Sequence, residues 1–238
     1  MSFEDPTQTE HIPVSEVEVE GPFASFVPAD FIADPLGYFE RRGQNIKSGE
    51  IQHDAGGVVK EDPTATKDLP VWQNQRGEQL YTVGKKVNTT KSQVGKSGDP
   101  FYEYSIMQIA EEFGLPAPRP VAKVKHDDEH LIVMTKIEGV RWTDEGMKAI
   151  EESDLTDEDK RNLLSQAQTI MAELEQRYKE IGLYRSWKLK DMIFDVDIPN
   201  RAVLGVTPTD WERTKIDIDK LAKARQELAV SQSSSGRG

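Results

Sequence analysis

Residues 182–197, GLYRSWKLKDMIFDVD, join a short polar loop to an apolar strand, and the loop carries side chains that could do chemistry. Ser186 and Asp191 lie five positions apart in this loop. A carboxylate such as that of Asp191 can hold a cation. The Ser186 hydroxyl does not accept a proton at neutral pH unless another base activates it. The loop therefore offers a carboxylate that could bind a cation and a hydroxyl that is not by itself a proton acceptor.

Two blocks of secondary structure, before and after Gly139, must position this loop. The first block, 66–138, has β-rich runs such as QLYTVGKKV and one run, PFYEYSIMQIAEEFG, with apolar residues at helical spacing. It predicts the order β-β-α-β-β. In the second block, a capping pattern at Thr156 predicts a long amphipathic helix that ends at Gly182. The runs MIFDVD and AVLGVTP then predict a strand pair, and 217–230 predicts a last helix.

The two ends of the chain differ from these blocks. Residues 1–65 are rich in Pro, Glu, Asp and Gly, and their apolar residues cluster at 21–39. This pattern predicts a partly extended arm with one short piece that packs on the domain or on a partner, and disorder is the alternative. The Ser- and Gly-rich end, 231–238, predicts a flexible tail. The predicted organisation is thus an arm (1–65), a first block (66–138), a second block (139–230) and a tail.

Composition excludes several classes of function. The net charge of −12 argues against non-specific nucleic-acid binding, which depends on Lys and Arg neutralising phosphates. The chain has no Cys, so disulfides, thiol nucleophiles and Cys-based metal sites are excluded. It has no run of 18 apolar residues, and its acidic start does not resemble a signal peptide. We therefore expect no membrane association and a cytoplasmic location, or assembly into a larger particle.

A lysine and a glutamate of the first block stand in a recognisable order. Lys85, in YTVGKK, precedes Glu103, and Glu103 lies thirteen residues before Pro116 in FGLPAPRP. This pattern resembles the protein-kinase-like superfamily, most closely the aminoglycoside phosphotransferases and related small-molecule kinases. The resemblance implies that the Lys85 ammonium contacts the α- and β-phosphates of ATP and that Glu103 orients it. Lys86 is the alternative lysine, and an exposed Lys85 with a Glu103 that only stabilises its helix is the simpler interpretation.

The segment that follows, HLIVMTKIEGVRW at 130–142, resembles the strand and linker of the same family. The resemblance implies that the backbone from Met134 to Lys136 receives the edge of the adenine ring. Gly139 would then be the turn into the helical lobe. An ordinary buried strand that ends in a Gly turn is the alternative.

The opening loop and the segment after it extend the resemblance. The family pattern is His-Gly-Asp, then five residues from that Asp to Asn, then an apolar strand, and it places Tyr184, Arg185 and Ser186 on the triplet and Asp191 on the Asn. Further on, VLGVTPTDWER resembles the family segment that carries the Mg²⁺-binding Asp, which implies that role for Asp210. The resemblance covers about 66–215 and implies a magnesium site at Asp191 and Asp210.

Three departures from the family limit the expected activity. Ser186 stands where the family has its proton-accepting Asp, so the proton acceptor is missing. The implied cation-binding positions, Asp191 and Asp210, still carry carboxylates. Only 28 residues follow Asp210, where the small-molecule kinases have a larger acceptor-binding region. The segment EDPTATKDLPVW occupies the position of the phosphate-covering loop and contains no glycine. We therefore expect slow phosphoryl transfer or none.

The sequence as a whole predicts an α+β chain with a bilobal kinase-like fold, made of a β-rich N-lobe, a reduced helical C-lobe and an N-terminal arm. The expected function is that of a degenerate kinase, a pseudokinase or a very slow phosphotransferase, that binds ATP and Mg²⁺. The catalytic positions would be Ser186 and Asp191. The alternative is a non-enzymatic interaction or assembly protein, an effector or a virion component, that reuses a kinase scaffold without nucleotide and contacts a partner through its arm.

Overall fold

The computed structural model describes residues 17–22, 27–40, 46–47, 50–51, 71–73, 79–87, 99–127, 129–142, 148–211 and 213–235. The strands within these ranges are β1 (Val17–Glu20), β2 (Ile46–Lys47), β3 (Glu50–Ile51), β4 (Val71–Gln73), β5 (Gln79–Val87), β6 (Pro120–His126), β7 (Glu129–Thr135), β8 (Val140–Arg141), β9 (Leu183–Tyr184), β10 (Met192–Asp197), β11 (Ala202–Pro208) and β12 (Lys215–Ile216). The α-helices are α1 (Ala29–Ala33), α2 (Pro35–Glu40), α3 (Tyr102–Glu112), α4 (Lys148–Glu151), α5 (Asp157–Glu180) and α6 (Ile218–Ser235).

The first block forms an antiparallel sheet with one helix. Its strand order is β1-β6-β7-β5-β4, and α3 lies in the chain between β5 and β6. The predicted order β-β-α-β-β is confirmed. Ile106 and Met107 of α3 are fully buried in the same hydrophobic cluster as Val83 and Ile132 of the sheet. The apolar residues at helical spacing thus attach α3 to one face of the sheet, which sets the position of the residues that begin this helix.

The predicted packed piece of the arm covers the other face of the sheet. Phe31 of α1 and Tyr38 of α2 are buried in a second cluster with strand residues such as Val121 and Val133. Their rings meet edge to face, with centroids 5.3 Å apart. Strand β1, which the sequence did not predict, pairs with β6 at the edge of the sheet. This part of the arm is therefore a structural element of the domain that it precedes.

Replacing Phe31 by alanine is expected to lower the free energy of unfolding by about 3–5 kcal/mol, because it removes a large buried ring from a close-packed cluster. The measurement is denaturant unfolding of the full chain. Ile32→Ala is the matched control, since the Ile32 side chain is 41% exposed and its truncation should change stability little. Equal losses for the two variants would contradict the packing described for this arm.

The second block is built on the long helix α5. Thr156 caps it, accepting a hydrogen bond from Asp159 N (3.1 Å), while the Asp159 carboxylate accepts one from Thr156 N (3.1 Å). The predicted capping pattern and helix are confirmed. The chain leaves α5 at Gly182, whose φ of +87° and close approach to Asp217 O leave no room for a Cβ. The short strand β9 follows this turn, and the loop at 185–191 begins directly after it.

A small antiparallel sheet, β11-β10-β8, packs beside α5. The predicted strand pair MIFDVD and AVLGVTP is confirmed as β10 and β11. The last helix differs from the prediction, since α6 continues to Ser235 where a helix to 230 and a flexible tail from 231 were expected. Ser231 and Ser233 donate hydrogen bonds back to Leu228 O and Val230 O, which satisfies their hydroxyls within the helix.

The two blocks share one hydrophobic core, which contains Met107 of α3, Tyr178 of α5 and Phe194 of β10. Tyr102 Oη donates a hydrogen bond to Thr214 O (2.7 Å), and Tyr178 Oη donates one to Pro116 O, so each joins the two blocks. The chain is therefore an α+β protein. No helix among the described residues is long and apolar enough to cross a membrane.

Candidate functional site

The predicted ion pair between Lys85 and Glu103 is present and buried. Lys85 Nζ lies 2.6 Å from Glu103 Oε2, and the two side chains are only 6% and 11% exposed. Lys85 reaches this position from β5, where it stands opposite Ile132 of β7, and Glu103 reaches it from the first turn of α3. The simpler interpretation, an exposed Lys85 and a Glu103 that only stabilises its helix, is therefore wrong.

Glu103 also connects the first block to the second. Its Oε2 accepts a hydrogen bond of 3.4 Å from the backbone N–H of Trp211, a residue 108 positions away. Trp211 directly follows Asp210, for which the family resemblance implied a metal-binding role. The Lys85–Glu103 pair thus lies next to the segment that carries Asp210.

Asp210 is paired with an arginine. Arg185 Nη2 donates a hydrogen bond to Asp210 Oδ2 at 2.6 Å, and the two side chains are 5% and 40% exposed. The other guanidinium nitrogens of Arg185, Nε and Nη1, are buried and have no hydrogen-bond acceptor in the described part of the chain. The sequence analysis placed Arg185 in the triplet but gave it no role. The structure makes it the cation that faces Asp210.

Three aromatic rings hold the loop at 185–191 against α5. Trp187, Trp211 and Tyr178 contact one another with ring centroids 5.1–5.5 Å apart. Trp187 also donates from Nε1 to Asp210 O (2.9 Å) and from its backbone N–H to Glu175 Oε1 (2.9 Å). Burial raises the pKa of the Tyr178 phenol, so this group remains a neutral donor. This cluster was not predicted from the sequence. The signal that could have indicated it is a Trp within a short polar loop.

The two predicted catalytic positions have different surroundings. Ser186 is exposed on the loop between Arg185 and the buried Trp187. The Asp191 carboxylate accepts a hydrogen bond from Lys188 N (3.1 Å), and Asp191 O accepts two from Thr209, through its N–H (2.9 Å) and its Oγ1 (3.1 Å). Asp191 therefore organises a short 3₁₀ turn (Leu189–Asp191) and joins it to the segment that leads to Asp210.

The predicted adenine linker begins within the sheet, since Met134 and Thr135 end β7 and Lys136 follows them. Met134 is 4% exposed and belongs to the main core. The backbone N–H groups of Thr135 and Lys136 donate to Arg119 O (2.9 Å) and Tyr81 O (2.8 Å). An adenine ring at this linker would therefore have to use other backbone groups. The role of Met134 and Lys136 in binding adenine stays a prediction.

The residues present do not fit the predicted magnesium site well. Asp191 accepts a backbone hydrogen bond, and Asp210 is neutralised by Arg185. A divalent cation at Asp210 would have to displace the guanidinium, at the expense of a part-buried, charge-assisted hydrogen bond. The metal role of Asp191 and Asp210 stays a prediction that these contacts oppose.

Two further sequence features lie outside the described residues. These are the side chain of Lys86 and most of EDPTATKDLPVW, of which the structure describes only the strand residues Val71 and Trp72.

The comparisons with known proteins returned no match, either to a protein-family model or to a curated protein sequence.

Proposed function

We propose that the chain is a kinase-like protein with a degenerate catalytic loop, which binds ATP at the buried Lys85–Glu103 pair. This pair is the observation that carries the proposal. Moving two charges out of water costs several kcal/mol per ion, and well-packed apolar residues often give equal or greater stability. A buried ammonium next to the segment that carries Asp210 is instead suited to binding an anion such as a phosphate.

The arrangement of the elements supports a bilobal kinase-like fold. A small antiparallel sheet holds α3, a short connector follows β7, and the long helix α5 and the strand pair β10–β11 come after it. The loop at 185–191 and the segment at 209–211 come from this second half, and Trp211 N–H contacts Glu103 Oε2, the partner of Lys85 on β5. In the proposed fold, a nucleotide would bind between an N-lobe and a reduced C-lobe.

The loop chemistry favours a pseudokinase or a very slow phosphotransferase. Ser186 provides no proton acceptor, and the nearest carboxylate of the loop, Asp191, is already hydrogen-bonded to Lys188 N. General-base assistance contributes typically about 10²–10⁴-fold to a rate. Positioning and charge stabilisation would remain, and they supply most of the catalysis of phosphoryl transfer. ATP binding with slow turnover is therefore the proposed behaviour.

A thermal shift with ATP tests this proposal. ATP at about 100 times its dissociation constant should stabilise the chain by ~2.7 kcal/mol, which gives a clear rise in melting temperature. Lys85→Met should abolish the rise, because the phosphates lose their ammonium. Lys123→Met is the matched control, since Lys123 pairs with Glu20 (2.6 Å) on the same sheet and lies partly exposed on β6. No rise at millimolar ATP, with or without Mg²⁺, would contradict the proposal.

The alternative is an interaction or assembly protein that uses the scaffold without nucleotide. The observation that favours it is that the carboxylates of Asp191 and Asp210 are both engaged by groups of the protein itself. The described piece of the arm packs on its own sheet. This alternative predicts no thermal shift with ATP, and the same experiment therefore separates the two functions.

A further inference from the structure

We infer that Arg185 takes the position at Asp210 that a divalent cation would hold, so that the chain binds the triphosphate of ATP as a metal-free anion. This inference rests on the proposed function, because it concerns the phosphate end of the same site. It replaces the predicted magnesium ion by a side chain of the protein.

The guanidinium satisfies the charge of Asp210 without a metal. The distance of 2.6 Å between Arg185 Nη2 and Asp210 Oδ2 is that of a strong, charge-assisted hydrogen bond. Since the Arg185 side chain is 5% exposed, water and salt screen this interaction weakly. A metal ion that approached Asp210 would meet a fixed positive charge. The affinity of this site for Mg²⁺ is therefore reduced by repulsion as well as by competition for the carboxylate.

The same guanidinium has hydrogen-bond donors besides the one that contacts Asp210. Arg185 Nε and Nη1 are buried without an acceptor among the described residues, a situation that folded proteins usually avoid. Arginine has donors in a planar fork that matches the oxygens of a phosphate. A phosphate oxygen that bound here would satisfy donors that the protein leaves unused. This observation points to an anion as the ligand of Arg185.

The geometry also shows how a phosphate would gain access. The Asp210 side chain is 40% exposed, whereas that of Arg185 is buried, so the carboxylate lies on the solvent side of the pair. A rotation of the Asp210 side chain toward solvent would uncover the guanidinium. Asp210 would then act as an internal anion that a phosphate displaces. Lys85 lies on the same network, since its partner Glu103 contacts the backbone of Trp211.

Isothermal titration of the full chain with ATP, once in EDTA and once in excess Mg²⁺, tests the inference. We expect ATP in EDTA to bind at least as tightly as ATP with Mg²⁺. Arg185→Gln should weaken binding in EDTA by about 10- to 100-fold, the range for a lost hydrogen bond to a charged group. Arg201→Gln is the control, because Arg201 pairs with Asp159 (3.4 Å) at an exposed position away from the site and should leave binding unchanged.

Asp210→Asn gives an independent readout if Arg185→Gln does not fold. It removes the competing carboxylate and should tighten ATP binding in EDTA by about tenfold, by relief of charge repulsion. Loss of ATP binding by this variant in Mg²⁺, without tighter binding in EDTA, would overturn the inference, since it would identify Asp210 as a metal ligand. Binding of ATP to the unaltered chain only with Mg²⁺ would overturn the inference and leave the proposed function standing. Binding under neither condition would overturn both.

Discussion

Glu103→Ala is expected to lower the free energy of unfolding by about 3–5 kcal/mol, the usual result of removing one partner of a buried ion pair. The Lys85 ammonium, 6% exposed in the native chain, would stay in the interior without the carboxylate that neutralises it. The backbone N–H of Trp211 would lose an acceptor at the same time. Denaturant unfolding of the full chain measures the change.

A double variant separates the stability of the pair from its function. Lys85→Met with Glu103→Leu removes both charges and fills the space with apolar atoms, so it should recover most of the stability lost in Glu103→Ala. It should still fail to bind ATP, because the phosphates would have no ammonium at this position. Glu18→Ala is the control, since Glu18 forms an exposed pair with Lys125 (3.3 Å) that is worth at most ~1 kcal/mol. If Glu103→Ala changed stability as little as Glu18→Ala does, the pair would not be the buried ion pair described here.

The triple variant Arg185→Gly, Ser186→Asp, Asp191→Asn should consume ATP at least about 10²-fold faster than the unaltered chain in the presence of Mg²⁺, because general-base assistance is worth ~10²–10⁴-fold. Each change restores a residue of the kinase pattern. The first releases Asp210 from the guanidinium, the second supplies a proton acceptor at 186, and the third restores the Asn. The measurement is steady-state ATP consumption, with the melting temperature of each variant recorded beside it.

The double variant Ser186→Asp with Asp191→Asn is the matched control for the role of Arg185. It has the base but keeps the guanidinium on Asp210, so its activity should fall well below that of the triple variant. A folded, ATP-binding triple variant that is no faster than the unaltered chain would contradict the assignment of the loop as a degenerate kinase loop. Turnover of the unaltered chain at ~1 s⁻¹ or faster, within the range of ordinary kinases, would show that Ser186 is not a lost catalytic position.

The sequence by itself determined the elements whose pattern is local. The periodic apolar residues and the Thr156 capping pattern predicted α5, and apolar runs predicted β4 to β7 and the pair β10–β11 but not the two-residue strands β8, β9 and β12. Local patterns depend on neighbours within a few residues, which the sequence lists directly. The end of α6 was placed too early, because a Ser-rich run reads as flexible although its hydroxyls can bond back to helix carbonyls.

Only the tertiary structure decided which candidate side chains meet. The sequence left undecided whether Lys85 or Lys86 pairs with Glu103, because successive residues of a strand point to opposite faces of the sheet. Helix α3 packs on one face, and Lys85 is the lysine that pairs with Glu103 there. Arg185 and Asp210 lie 25 positions apart, and no periodicity links them. Their pairing depends on the burial of Trp187 and Trp211 against α5, which brings the two segments together. The sequence therefore identified charged groups of this site, while the packing of the chain determined that an arginine is the cation at Asp210.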